Sequence, residues 1–357
     1  MKYILSIIFT LIIFPVLHAQ TIKGTVFDAK TKEPIPGVVV YFDGTSILTT
    51  TNNDGRFRLV LERMINADLV FRHLSYEPFI ISKPLDDQEK VIYLKEKAST
   101  LAEVRVVADR FSREAKMKVF REQFLGASSA GRACVIQNEE DIVINYDNAT
   151  NCLTAYSIHP IIVDNRYLAY QISFDLRVFN VFYYKENTLN MEKATKIVFK
   201  GTSSFTDKNP FNILYAKRRE EMYLRSSLCF WKNFTNHTLE QANIKIYNRS
   251  RQIEPDRYFQ IFNMETQRVV QVLPNTNLNR QHRSVDDISI YGVMGISSDS
   301  NRFRSEVVFL THRFSVDEYG NPDTIDNLLY FGDMGEQRLG DMLPVNFVYT
   351  PMEKTKK

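Results

Sequence analysis

Residues 21–61, TIKGTVFDAKTKEPIPGVVVYFDGTSILTTTNNDGRFRLVL, decide the fold of the first part of the chain. Residues 21–28 alternate between apolar and polar side chains, which is typical of a half-buried β-strand. A break rich in proline and glycine precedes the short apolar run 38–42, and Asp54-Gly55 lies between two further extended segments. An Asp-Gly pair between such segments is a strong short-range hairpin signal, so we predict a hairpin there.

Further short strands follow at residues 67–72 and 91–94. Several short strands at this spacing predict a sandwich of two sheets, which we expect to be an independent unit over residues 20–97. Four side chains are expected to contribute to its core: Val26, Val39, Phe57 and Leu59.

This segment resembles the carboxypeptidase regulatory-like domain, a prealbumin-like sandwich of seven strands. The resemblance is carried by residues 23–28, 33–40, 44–45, 49–57 and 73–77. In that family the module stands at the front of starch-utilisation-type TonB-dependent receptors and beside zinc carboxypeptidases, and it catalyses nothing in either setting. The resemblance therefore implies a binding or assembly role, with an envelope or outer-membrane protein as partner and a TonB-dependent receptor as a candidate for it.

The first 19 residues have the three parts of a secretory signal peptide. Lys2 supplies a short positive region, an apolar run covers residues 4–16, and Ala19 offers a cleavage site before Gln20. An uncleaved anchor helix is the alternative, but the run is short for a membrane span. We therefore expect export, to the periplasm or to an outer-membrane-associated place, and no transmembrane span in the mature protein.

The rest of the chain is expected to form a second, larger unit. Residues 98–108 resemble the strand that joins the module to a receptor plug, but no recurring barrel strands follow. We interpret residues 98–121 as a linker between the two units. Within it, residues 109–121 are either linker or a short helix. Residues 122–351 resemble the uncharacterised C-terminal region of exported proteins with the same front module, to which no activity is attached. Residues 352–357 are a tail.

The pattern of residues 122–351 predicts many strands around one long helix. Residues 142–146 and 152–156 flank a turn, and residues 168–176 alternate strictly. Asn209 and Pro210 have the features of an N-cap and a first helical position, and we expect the helix to run to about Trp231.

Composition and cysteine usage narrow the function. The 357 residues contain 45 Lys and Arg against 42 Asp and Glu, so nothing indicates nucleic-acid binding. The three cysteines allow one intrachain pair at most. Cys134 and Cys152 are either a bridge or two small buried residues, and Cys229 is expected to be unpaired on the helix near Trp231.

Metal chemistry has two candidates, and we favour neither. His237 and Glu240 have the HxxE spacing of a zinc site, and His282 or His312 would be the third ligand. The residues around them do not repeat the sequence that surrounds the zinc ligands of carboxypeptidases. Asn52, Asn53 and Asp54 allow a calcium site, although only one of these side chains is a carboxylate, so a polar turn is preferred.

Other side chains that could take part in catalysis or ligand binding are better explained as ordinary surface or core residues. Adjacent acids on a strand point apart, which argues against paired catalysis by Glu139, Glu140 and Asp141 or by Asp286 and Asp287. Three tyrosines are candidates for stacking on sugar rings, with core packing preferred: Tyr183, Tyr184 and Tyr291. Four arginines interspersed with acids indicate ordinary surface: Arg280, Arg283, Arg302 and Arg304.

The sequence thus predicts a mainly β protein, in which a prealbumin-like seven-stranded sandwich precedes a larger β-rich α+β domain with one long helix. We predict an exported, non-catalytic cell-envelope protein that acts in binding or assembly near the outer membrane. No catalytic, cofactor-binding or metal-binding residue is assigned. Two alternatives remain: an exported hydrolase of peptide or glycan with a site in residues 122–351, and glycan binding by the front sandwich.

Overall fold

The computed structural model describes residues 20–84, 88–97, 110–274, 278, 290–300, 302–323 and 325–350. The chain is mainly β, as predicted. The expected signal peptide (1–19), the joining strand (98–108) and the tail (352–357) lie outside the described residues, as do His282, Arg280, Arg283, Asp286 and Asp287.

The front module consists of two sheets packed face to face, which confirms the predicted sandwich. Its strands are β1 (Gln20–Asp28), β2 (Val39–Phe42), β3 (Leu48–Thr50), β4 (Arg56–Leu61), β5 (Leu69–Arg72), β6 (Phe79–Ile81) and β7 (Lys90–Leu94). In the first sheet β1 lies between antiparallel β4 and parallel β7. The second sheet has the order β3-β2-β5-β6.

Three of the four predicted core residues are in the module core. Val26, Phe57 and Leu59 are buried between the sheets, whereas the prediction for Val39 is wrong. Successive side chains of a strand point to opposite faces, and the flanking Val38 and Val40 are the buried ones, so Val39 faces away from the core.

The predicted Asp54-Gly55 hairpin is also wrong. β3 pairs with β2 and β4 pairs with β1, so the turn between them carries the chain from one sheet to the other. Gly55 has φ +69°, and a Cβ there would lie 2.5 Å from the carbonyl oxygen of Val26. The local signal for a tight turn was correct, but turn chemistry does not say which strands the turn joins.

The larger domain contains three further sheets. Its strands are β8 (Cys134–Ile136), β9 (Ile142–Asp147), β10 (Cys152–Ser157), β11 (Ile161–Asn165), β12 (Tyr170–Tyr183), β13 (Ala194–Asp207), β14 (Lys245–Asn248), β15 (Arg251–Gln252), β16 (Phe259–Asn263), β17 (Gln267–Val272), β18 (Gly292–Ser298), β19 (Phe303–Phe309), β20 (Arg313–Asp317) and β21 (Leu328–Gly332). One sheet has the order β8-β11-β12-β10-β9 with β13 paired to β12, and the others have the orders β15-β14-β18-β19-β21 and β16-β17-β20.

Besides five 3₁₀ turns of three residues each, the described residues form four α-helices: α1 (Arg113–Phe124), α2 (Ser129–Arg132), α3 (Ile213–Leu224) and α4 (Ser227–Thr235). α1 lies in the segment interpreted as a linker or short helix, and it is part of the core. Phe120 packs against Phe179, and Phe124 packs edge-on against Phe174. The helix is therefore held by the six-stranded sheet.

The predicted long helix is two helices, α3 and α4. The side chain of Asn212, and not that of Asn209, caps α3 by accepting from the Leu214 N–H. The helical pattern is interrupted at Ser226. Its hydroxyl accepts from the Cys229 N–H and donates to the Tyr223 carbonyl. A serine that satisfies both backbone groups ends one helix and starts the next.

All three cysteines are free. Cys134 is on β8 and Cys152 is on β10, and two strands of the sheet, β11 and β12, lie between them. Cys229 is buried on α4 beside Trp231, as predicted.

The module is docked on the larger domain at two places. Residues 43–46 lie along β13. The Gly44 N–H donates to the Ser203 carbonyl and the Phe205 N–H donates to the Thr45 carbonyl, both with an N···O distance of 2.8 Å. At the second place Asn66 and Asn321 each donate from the side-chain amide to the other's carbonyl. Buried Tyr319 packs into the module core. The side of the module that carries these loops is therefore covered.

Candidate interaction surface

The structure does not assemble the suspected zinc site in the residues it describes. His237 lies just after α4 with an exposed side chain, and its nearest charged partner is Asp256, 3.8 Å from Nδ1. Glu240 is exposed, and His312 packs against Tyr291. Within the described parts of the chain, no three His, Cys, Asp or Glu side chains are grouped as metal ligands would be.

We expect purified protein to contain only substoichiometric zinc, because a catalytic zinc needs three converging protein ligands. Elemental analysis measures this directly. Stoichiometric zinc that is lost, together with peptidase activity, in His237→Ala would overturn the non-enzymatic proposal.

Two of the three acids at residues 139–141, Glu139 and Asp141, have structural partners. The guanidinium of Arg121 donates to both carboxylate oxygens of Glu139, at 2.6 and 2.7 Å, and this hydrogen bonding lowers the pKa of Glu139. Asp141 accepts from the side chain of Asn138 and lies 3.1 Å from His159 Nδ1, and these contacts lower its pKa. Both carboxylates thus serve as fixed anions, and neither is poised as a general acid.

The remaining candidates divide between core and surface. Tyr183 is buried, while Tyr184 is exposed with the Lys193 ammonium 5.6 Å from its ring centroid. Tyr291 is partly exposed against His312. In the suspected calcium turn, Asn52 Oδ1 accepts from the N–H groups of Asp54 and Arg56, so this side chain holds the turn. Arg302 and Arg304 lie on the surface, as predicted.

Sequence reasoning missed one surface, the outward face of the sheet β4-β1-β7. Side chains alternate strictly between buried and exposed positions along these strands, so one set points to solvent. We call this set the outer face. Its members are Thr21, Lys23, Thr25, Phe27, Arg56, Arg58, Val60, Val91 and Tyr93.

The outer face carries cations that nothing in the described chain neutralises. Lys23 and Arg58 are directly opposite each other in the β1–β4 register, and Arg56 is opposite Thr25. Like charges at directly opposite positions destabilise a sheet. The outer face contains no acidic residue, and Glu89, just before β7, makes no ion pair with these side chains in the residues described.

Beside these cations lies an aromatic pair. Phe27 and Tyr93 are register partners on β1 and β7, with ring centroids 5.8 Å apart. The Lys32 ammonium lies 4.4 Å from the Tyr93 ring centroid and adds a further positive charge. Aromatic rings next to arginines are the composition that is enriched in protein interfaces.

Docking leaves the outer face open. The described contacts with the larger domain come from residues 43–46, from the loop that holds Arg63 and Asn66, and from the second sheet. In that sheet the hydroxyl of Tyr41 on β2 is 2.9 Å from Thr202 Oγ1, and Arg72 on β5 pairs with Asp175. These positions belong to the second sheet and its loops. The fold and this surface define a class of module, a β-sandwich that is held by one side and presents the other.

The family of this module follows from its sequence match. Residues 22–106 match the family model of the CarboxypepD_reg-like domain, so the front module is a carboxypeptidase regulatory-like domain. No curated protein matches the chain significantly. Among the described residues, no helix combines the length and the apolar character needed to cross a membrane.

Proposed function

We propose that this protein is an exported, non-catalytic cell-envelope protein that docks onto an acidic surface of a partner near the outer membrane. The partner is an envelope protein, with a TonB-dependent receptor as the first candidate. One observation carries the proposal: within the part of the chain that the structure describes, Lys23, Arg56 and Arg58 on the outer face have no counter-charge, while the other side of the module is fixed to the larger domain.

Electrostatics explains why such a face suits docking. Lys23 opposite Arg58 costs stability in the free protein, and an acidic partner surface would remove that repulsion. The flanking Val60, Val91 and Tyr93 are exposed and supply apolar area for the centre of an interface. The outer face lies on the paired strands of a folded sheet, so little ordering entropy opposes binding.

Charge reversal of the outer face tests the proposal. The double variant Arg56→Glu and Arg58→Glu is expected to weaken binding of the partner captured from an envelope extract by about tenfold or more. Binding of the unaltered protein should weaken as salt rises, because surface charges are screened. Both side chains are exposed, so the fold should be retained, which circular dichroism would verify.

The matched control is Arg251→Glu with Arg313→Glu, which makes the same charge change at exposed strand positions of the larger domain. We expect this control to bind like the unaltered protein. Equal loss in both double variants would mean that net charge, and not the outer face, determines binding. Capture that is indifferent to all four substitutions would refute the proposed face.

A further inference from the structure

The loop before α3 and the first turn of that helix display large apolar side chains to solvent. Every residue from 208 to 214 is exposed. Phe211 is 98% exposed, Ile213 is 66% exposed and Leu214 is 50% exposed. Single exposed apolar residues are ordinary, but three bulky ones within four positions form a patch that indicates an interaction. We call residues 208–214 the apolar tip.

The apolar tip is held firmly in this exposed position. Asn212 caps α3 through its bond from the Leu214 N–H. About two helical turns after this cap, buried Arg219 donates to the carbonyl of Leu168 and to both carboxylate oxygens of Asp207. Because Arg219 and Asp207 fix the loop from both ends, the exposure of the tip is a property of the fold and does not come from a loose segment.

Two lysines flank the apolar side chains of the tip in sequence, whereas the acids of α3, Glu220 and Glu221, lie further along the helix. Lys208 and Lys217 are exposed and make no ion pair within the described residues. Asp207, the acid nearest in sequence, is already paired with Arg219. Apolar side chains flanked by lysines are the combination that interfacial membrane segments use. The rings and aliphatic groups enter the acyl boundary, and the ammonium groups meet headgroup phosphates.

We propose that the apolar tip inserts into the surface of an anionic phospholipid bilayer, with Lys208 and Lys217 against the headgroups. The tip lies on the larger domain and not on the outer face of the module, so this inference is independent of the proposed partner docking. Insertion of the tip would bring the larger domain to a membrane surface.

Insertion can be measured through a tryptophan placed at the tip. The chain contains a single tryptophan, Trp231, which is fully buried and therefore gives a constant background. Phe211→Trp is expected to show a blue shift of emission, and quenching by brominated lipid, on phosphatidylcholine vesicles that contain roughly one-third phosphatidylglycerol. No blue shift on these vesicles would overturn the proposal.

Sedimentation with the same vesicles gives the affinity and the roles of the side chains. Phe211→Ser with Ile213→Ser should lower the partition coefficient by at least about tenfold. Lys208→Gln with Lys217→Gln should lower it by about tenfold on anionic vesicles and leave the weak binding to pure phosphatidylcholine unchanged. All variants carry the same N-terminus, so residues 1–19 contribute equally to every measurement.

The control variant is Leu74→Ser, which removes an apolar side chain of matching exposure, 62%, from the module. It should bind vesicles like the unaltered protein. An equal loss in this control, or unchanged binding after both tip substitutions, would overturn the assignment. A tip that binds an envelope protein in solution but not vesicles would also overturn it, in favour of a protein partner.

Discussion

Replacing Arg219 with methionine is expected to destabilise the protein by roughly 3 kcal/mol, because the half-buried carboxylate of Asp207 and two backbone carbonyls lose their donor. The guanidinium of Arg219 is almost fully buried. It donates to both oxygens of Asp207, at 2.6 and 2.8 Å, and to the carbonyls of Leu168 and Ala169, and it lies 4.0 Å from the ring centroid of Tyr170. Denaturant unfolding followed by circular dichroism measures the loss.

The neighbouring residue offers a matched control. Arg218 also donates to a backbone carbonyl, that of Tyr167, and stacks on its ring. It is partly exposed and pairs with no carboxylate among the described residues. Arg218→Met should cost only about 1 kcal/mol. If the two substitutions cost the same, the buried pair with Asp207 is not what fixes α3.

A second variant separates charge from geometry. Arg219→Lys keeps the positive charge but loses the planar fork that reaches Asp207 and two carbonyls at once. It should remain clearly less stable than the unaltered protein. Because Arg219 holds the base of the helix that displays Phe211, Arg219→Met should also reduce vesicle binding, whereas Arg218→Met should not.

The fold of the module was predictable because its signals are local. Alternation in β1 and β4 places Val26, Phe57 and Leu59 correctly. The errors arose where the same local signal is compatible with two arrangements: a run of consecutive valines does not reveal which of them faces inward, and a tight Asp-Gly turn does not reveal which strands it joins. Those choices depend on the opposing sheet.

The candidate surfaces were not predictable for a related reason. Tyr319-Gly320-Asn321-Pro322 has the sequence of a plain turn, yet it is a docking element, because its contact with Asn66 spans more than 250 positions of sequence. The outer face requires the β1–β4 register, which brings Lys23 opposite Arg58. The helix break at Ser226 was visible only as a serine in an otherwise helical pattern, and such residues are often tolerated within helices.

The stability of the protein is expected to rise, not fall, as the pH is lowered from about 7 to about 5. Two buried carboxyls at the docking interface cause this. Asp43 accepts from the Ser203 N–H, and Asp317 accepts from the Asn66 N–H, so each reaches across to the other domain. Burial is the main cause that raises the pKa of both groups to about 6.

The direction of this change in stability follows from proton binding by Asp43 and Asp317. In the unfolded chain these carboxyls have their ordinary pKa of about 4, so between about pH 4 and 6 the folded state binds more protons than the unfolded state. Stability from these groups is therefore fully present below about pH 4 and is lost as the pH rises through about 6. A shift of about two pKa units corresponds to about 3 kcal/mol for each group.

Other groups with shifted pKa values affect stability in a different pH range or in the opposite direction. The carboxyls with lowered pKa values, Asp28, Glu139, Asp141 and Asp147, stabilise the protein above about pH 4 and lose that contribution only at lower pH. Burial lowers the pKa of His73, so that group opposes the trend as the pH falls through about 6.5. Measurements in a His73→Gln background remove this opposing contribution.

Substitution of either carboxyl should make the free energy of unfolding depend less on pH. Asp43→Asn or Asp317→Asn should remove about half of the rise in unfolding free energy between pH 7 and 5, measured by denaturant unfolding at both values. Asp141→Asn, at a carboxyl with lowered pKa, should leave that rise unchanged. A protein that loses stability steadily from pH 7 to 5 in the His73→Gln background would show that both carboxyls stay ionised at the interface. Their backbone hydrogen bonds would then outweigh the cost of burial.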